Sequence, residues 1–149
     1  MELHSTFARE NLYILCLDEE SSTILNFDLG IHCVKFPHEE GTKHTQRRDV
    51  WELRVKAVSC LLVAGHDVLL SDADAIWLKD PMDSIDDLGA NDSNVVATRG
   101  SSIPSLYQRW GSTACFGFIL FRAGGTGMPI LVEEMTKAMS KTHDDQRAL

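Results

Sequence analysis

Two aspartates, Asp72 and Asp74, stand one residue apart just after an apolar run, Val68-Leu69-Leu70, inside the string D-V-L-L-S-D-A-D-A-I-W-L-K-D-P of residues 67–81. Carboxylates beside a strand long enough to be buried are costly unless a cation or hydrogen-bond donors meet them. On an extended backbone, residues i and i+2 point to the same side. The two carboxylates are therefore expected to converge on one ligand at the end of the strand. A divalent metal is the first candidate, because hard cations take carboxylate oxygens. Two aspartates alone form a weak motif, and the longer string around them carries more information.

The elements that must hold the pair follow from periodicity and turn chemistry. Residues 1–10 show no periodicity and read as a frayed lead-in. Residues 12–17 are continuously apolar, as a buried strand would be, and run into Asp18-Glu19-Glu20. Ligands of open α/β sheets gather at the carboxyl ends of strands. Asp18 is therefore a candidate nucleoside contact, with capping of the next turn as its simpler role. Residues 22–29 predict a short helix ended by Gly30, and residues 31–36 a second strand before a polar loop, 38–46. The spacing of Val50, Leu53, Ala57, Leu61 and Ala64 predicts a helix over 49–64, with Asp49 as N-cap, Glu52 completing a capping box and Gly65 as the stop. Arg54 and Lys56 on that helix are surface cations, or phosphate contacts for an anionic ligand. Trp77 is expected in the core behind the acidic pair. Asp80 and Pro81 open a short helix that ends at Gly89.

Residues 94–98 predict another strand, and 100–113 a loop carrying Tyr107, Arg109 and Trp110, whose rings would either stack on a sugar or pack the loop. Residues 116–121 predict an aromatic strand containing Gly117, and a glycine there marks close approach of backbone or ligand. Gly124-Gly125-Thr126-Gly127 lacks the Gly-Lys-Ser/Thr ending of a phosphate loop and reads as a turn. Residues 129–141 predict an amphipathic helix with Ile130, Leu131, Met135, Ala138 and Met139 inward. Strands alternating with helices imply an α/β sandwich with a largely parallel sheet.

With 149 residues, 44% of them hydrophobic, the chain suits a single domain spanning 1–149 with a real core. A net charge of −8 without a basic stripe argues against nucleic acid as a partner, and Arg47-Arg48 is too short to change that. No apolar run reaches the ~20 residues of a membrane span, and the N-terminus lacks a signal-peptide pattern. The chain as given is expected to be soluble, with any anchor carried by a longer parent. The four cysteines, Cys16, Cys33, Cys60 and Cys115, form no C-x-x-C pair, so spacing offers no zinc site. Buried thiols are the simple reading, and two disulfides in an oxidising compartment the open alternative.

Two chemistries suit the acidic pair. In metal-dependent sugar transfer, negative charge grows on a leaving nucleotide diphosphate, and a cation held by two carboxylates neutralises it. A second acidic cluster must then position the sugar, and Asp144-Asp145-Gln146 is the candidate, with His143 beside it as a weaker metal ligand or a solvated residue. The other chemistry is phosphoryl hydrolysis of the haloacid-dehalogenase type, with one Asp as nucleophile and the other as acid/base. Against it, that family's D-x-D lies on its first strand. Ile76 stands where Thr or Val is usual, and Asp144-Asp145 follows the polar run Lys141-Thr142-His143.

The longer string favours the first, with the phosphohydrolase as the alternative. Leu61-Leu62-Val63-Ala64-Gly65, then Val68-Leu69-Leu70, then Ser71 through Pro81 resembles the nucleotide-diphospho-sugar transferase family, which has L-L-x-x-G, an apolar strand and S-D-x-D-x-x-W-L-x-D-P in that order. Gly117-Phe118 with Arg122 is similar to the family's G-F-x-x-x-R, Asp144-Asp145-Gln146 to its late D-D-Q, and Leu15-Cys16-Leu17-Asp18 to its upstream strand ending in Asp. The resemblance implies a GT-A fold, a Rossmann-like α/β/α sandwich. It implies that Ser71, Asp72 and Asp74 contact the nucleotide sugar and that Asp72 and Asp74 hold Mn²⁺ (or Mg²⁺). Asp18, Arg54 and Lys56 would be further cofactor contacts, and Asp144, Asp145 and Gln146 would stand by the transferred sugar or acceptor.

The implied reaction moves galactose, xylose or arabinose from a UDP-sugar to a glycan or glycoprotein, with retention, in the Golgi lumen. The family's first strand and helix, its strands beyond D-D-Q and its Asn at the start of the G-F strand have no counterparts, since Cys115-Phe116 precede Gly117. The chain is thus expected to be a partial domain, incomplete at both ends. The corresponding alternative is a catalytically inactive transferase fold acting as an interaction module.

Overall fold

The computed structural model describes residues 11–35, 47–90, 92–100 and 111–142. The chain divides into two compact units, Met1–Arg54 and Val55–Leu149.

In the first unit, the apolar run narrows to a short strand, β1 (Ile14–Cys16). Asp18, extended at φ −144°, ends it and caps a helix, α1 (Glu19–Thr23), which starts three residues before the predicted Ser22. The helix widens into a π-helical turn, Ile24–Asp28, and Gly30 at φ +62° redirects the chain. A second strand, β2 (Cys33–Lys35), pairs with β1 in parallel, with Ile14 opposite Cys33. Asn26 fastens the connection: its Oδ1 accepts the Cys33 N–H at 3.0 Å and its Nδ2 donates to the Ser22 carbonyl at 2.9 Å. Lys35 forms an ion pair with Glu19. Cys16 and Cys33 form a disulfide between the two strands, with Cα atoms 5.9 Å apart. The open question about these two cysteines is answered, whereas Cys60 is exposed and Cys115 half-buried, both as free thiols.

The long helix α2 (Arg47–Val63) begins two residues before Asp49, which lies in its first turn and is not its N-cap. Its buried residues include Leu53, Val55, Ala57, Val58 and Leu62, while Leu61 is 42% exposed and Ala64 lies outside the helix. The inward stripe is therefore rotated from the predicted one, because Val55, Val58 and Leu62 also share a face at i, i+3, i+7. The C-terminus is as expected: Gly65 at φ +87° donates to the Leu62 carbonyl and His66 to the Leu61 carbonyl, each at 3.0 Å. This is the paired closure that a left-handed residue after a helix permits.

In the second unit, β3 (Val68–Ser71), β4 (Val95–Arg99) and β5 (Ala114–Phe121) form a sheet in the order β3-β5-β4, with both outer strands antiparallel to β5. The α/β class holds, and the parallel pairing expected of the sheet is confined to β1–β2 among the described residues. The reason lies in β5, which returns between two strands that run in one direction. Phe116, Ile119, Leu120 and Phe121 are all buried, so β5 is covered on both faces. Asp67, just before β3, accepts the Ala123 N–H at 2.8 Å and faces Arg122 at 3.9 Å, closing one end of the β3–β5 pair.

Helix α3 (Pro81–Asp87) has Asp80 as its N-cap, with Oδ1 accepting the Met82 N–H at 2.8 Å. It ends with Gly89 at φ +65°, where Gly89 and Ala90 donate to Asp86 and Ile85. Helix α4 (Met128–Thr142) buries Met128, Met135 and Met139, but Ile130, expected inward, is 67% exposed. No described helix is long and apolar enough to cross a membrane.

Two outcomes are expected. A Cβ at Gly65 would meet nothing within 4 Å. Gly65→Ala should therefore lose only the backbone term, about 1 kcal/mol, read from the urea midpoint. The Cys16–Cys33 bond closes a 17-residue separation. Replacing both with Ser should cost roughly 3 kcal/mol and leave a protein whose stability no longer responds to dithiothreitol.

Candidate active site

Ser71 is the last residue of β3 and lies opposite Phe118 of β5. The chain then leaves the ladder. The Asp72 N–H still donates to the Gly117 carbonyl at 2.7 Å, and the Ala75 N–H closes a tight turn onto the Asp72 carbonyl at 3.0 Å. Asp72 and Asp74 therefore sit on a turn and not on extended backbone, which corrects the same-side argument from strand geometry. Asp is a favoured residue at the opening of such turns, and the closing hydrogen bond outcompetes continuation of the strand.

Trp77 holds this turn in place. Its Nε1–H donates to Ser71 Oγ at 3.1 Å, and its ring meets Phe118 edge-on, with centroids 6.3 Å apart and planes at 84°. Edge-to-face pairs of this kind add to area burial. Ser71 Oγ donates in turn to the Asp72 carbonyl at 3.2 Å. The Ser71 proton is thus committed to the backbone, leaving an acceptor lone pair for any further contact. Asp72 is half-buried and Asp74 exposed. Ile76 and Leu78, which flank Trp77, are each 84% exposed, so of the three only Trp77 turns inward.

The turn stands at the carboxyl end of β3. The carboxyl end of β4 lies on the same side, because both strands oppose β5 in the same sense. There Thr98 Oγ1 donates to the Phe118 carbonyl at 3.4 Å, and the Gly100 N–H to the Thr113 carbonyl at 2.7 Å. A cleft of about 370 Å³ runs along β4 and the start of β5, lined by Val95, Ala97, Thr98, Arg99, Ser112, Thr113 and Ala114. Among the described residues, its lining offers hydroxyls and the Arg99 cation, and no carboxylate.

The structure brings Ser71, Asp72 and Asp74 together on one turn. Asp18, in the first unit, is engaged locally: Oδ1 accepts the Ser21 N–H at 2.7 Å and Oδ2 the Ser21 hydroxyl at 3.0 Å. These bonds, the backbone one foremost, hold its carboxyl below the usual range. Capping is thus its visible role. Arg54 is half-buried and Lys56 exposed on α2. Two positions apart on a helix, they project roughly 200° apart, so one ligand cannot meet both. Asp144, Asp145, Gln146 and His143 lie outside the described residues, as do Tyr107, Arg109 and Trp110.

Sequence reasoning missed Asp67, whose only signal was its place one residue before an apolar strand. It flagged Gly117 without naming its neighbour, which is Asp72.

Among the described residues, no three His, Cys, Asp or Glu side chains gather into a group that could hold a metal ion. A Mg²⁺-like cation commonly takes only one or two carboxylates and completes its shell with water and substrate phosphates, and Asp72 and Asp74 are donors of that chemistry on the turn.

Residues 8–149 match the family model for nucleotide-diphospho-sugar transferases, and the chain belongs to that family. Its members' chemistry is glycosyl transfer from a nucleotide-sugar donor to an acceptor. No curated protein and no solved structure matches the chain.

The Asp18 cap sets a pH test. Its folded-state pKa lies below the ordinary value of an aspartate carboxyl. The associated stability is fully present above that value and is lost as pH falls through the lowered folded pKa. Acid unfolding followed by circular dichroism should show this component in the wild type and lack it in Asp18→Ala. Identical acid profiles would remove the cap from the account.

Proposed function

We propose that this chain carries the donor site of a metal-dependent glycosyltransferase that moves galactose, xylose or arabinose from a UDP-sugar to a glycan or glycoprotein. The observation that carries the reading is the acidic turn Asp72–Ala75, fastened to β5 through Gly117 and Trp77 in a chain of this family. Asp72 and Asp74 would hold Mn²⁺ or Mg²⁺, with the UDP diphosphate completing the shell. When bound, the cation supplies positive charge to the pyrophosphate as it departs.

The residues of the chain do the positioning. Trp77 and the Asp72 amide keep the turn from moving, so that little reorganisation is needed when charge develops. Asp144, Asp145 and Gln146 are assigned, through the family pattern alone, to the transferred sugar or the acceptor. Asp18 and either Arg54 or Lys56 remain proposed donor contacts, and residues 1–149 are read as one transferase domain. Retention of anomeric configuration is part of the same proposal. The Golgi lumen is the proposed compartment, and the Cys16–Cys33 disulfide supports an oxidising environment.

Mn²⁺ should raise the melting temperature through binding to the folded state, and more strongly with UDP present. The Asp72→Ala, Asp74→Ala double variant should lose that response, and an unchanged response would overturn the site. A screen of UDP-galactose, UDP-xylose and UDP-arabinose should give UDP release with one donor above the others. Hydrolysis of a simple phosphomonoester without any dependence on UDP would point to phosphohydrolase chemistry instead.

A further inference from the structure

Gly117 interrupts β5, whose other residues are Ala, Cys, Phe, Ile and Leu. Glycine weakens a strand interior and brings no side chain to pack, so its presence there calls for a reason. The backbone does not supply one, since Gly117 is absent from the glycines with positive φ. Space does. A Cβ built on Gly117 would stand 2.5 Å from Asp72 Oδ2 and 3.2 Å from its Cγ, with Cys115 Sγ at 3.4 Å. The Asp72 carboxylate occupies the place where a side chain at 117 would be. The Gly117 carbonyl also accepts the Asp72 N–H. One residue therefore sets both the main chain and the side chain of Asp72.

We propose that Gly117 is a positioning residue of the acidic turn: its bare Cα is the seat that orients the Asp72 carboxylate toward a divalent cation. The proposal rests on the cation reading given above. The atom in the way of an added Cβ is the tip of a short, rotatable side chain. Gly117→Ala should therefore swing the carboxylate aside without dismantling β5.

The test uses the full chain, with Mn²⁺ alone as the probe. Gly117→Ala should keep the wild-type circular dichroism spectrum and raise the Kd for Mn²⁺, measured by electron paramagnetic resonance titration, tenfold or more. Without metal, the carboxyl ¹³C resonance of Asp72 should move while that of Asp74 stays. In an Asp72→Ala background, the added Gly117→Ala change should have no further effect on Mn²⁺ affinity. The proposal is overturned by a folded Gly117→Ala variant with wild-type Mn²⁺ affinity, by an unmoved Asp72 resonance, or by an equal loss in the Asp72→Ala background. Should Gly117→Ala alone fail to fold, the Asp72→Ala, Gly117→Ala pair decides: restored folding supports the seat, and continued misfolding overturns it. A wild type that takes up no Mn²⁺ overturns the cation reading and this proposal with it. That outcome is told apart from failure of the seat alone, in which the wild type binds and Gly117→Ala binds equally well.

Discussion

The amide of Asp72 reaches the carbonyl of Gly117, and much of the second unit depends on that bond. It is the first hydrogen bond beyond the β3–β5 register and fixes where the ladder stops and the turn begins. The register itself is held from within. Strand β5 buries Phe116, Ile119, Leu120 and Phe121. A slip by one residue would turn each β5 side chain to the opposite face of the sheet and would place a different residue under Asp72. Hydrophobic burial along β5 and the placement of two carboxylates are thus a single constraint seen at two scales.

The strand's two ends have different tasks. At one end Asp67, Ala123 and Arg122 are bound together through a carboxylate, and Asn94 accepts the Arg122 N–H at 2.9 Å. That end draws β3 and β4 onto β5. The other end carries the acidic turn, the Trp77–Phe118 contact and the irregular register between Ala97 and Arg99. Irregularities of this kind bend a strand and redirect side chains. The polar features around the turn therefore collect where the ladder is least regular, and the regular part bears the packing.

What was legible in the sequence was whatever local chemistry decides. The glycines at 65 and 89 stop helices because only a left-handed residue closes the last carbonyls, and Asp80-Pro81 opens one because both suit a first turn. The family string around Asp72 and Asp74 was legible for the same reason, since its order follows the order of the elements. What could not be read locally was decided by distant partners. The stripe of α2 and the exposure of Ile130 depend on which neighbours a helix meets. The direction of β5 depends on a pairing that joins residues far apart in the chain. The placement of the acidic pair on a turn is a local exception: the Ala75 N–H donates to the Asp72 carbonyl three residues back, a bond that the extended-strand reading did not weigh. The disulfide was one of several possible pairings until β1 and β2 were set side by side.

The strand order also has a consequence for how the chain assembles. Pairing β4 with β5 joins Arg99 to Ala114, whereas pairing β3 with β5 joins Ser71 to Phe118 across α3 and β4. The longer closure costs only about 1 kcal/mol more in loop entropy, yet it cannot begin until β5 exists. During synthesis the acidic turn leaves the ribosome early and waits, without its ladder partner, while the next forty or so residues are made, at roughly 5–20 residues per second. Strand β3, apolar at Val68, Leu69 and Leu70, has no β5 partner through that interval, so the order of synthesis makes the seating of the acidic turn on Gly117 a late event in assembly.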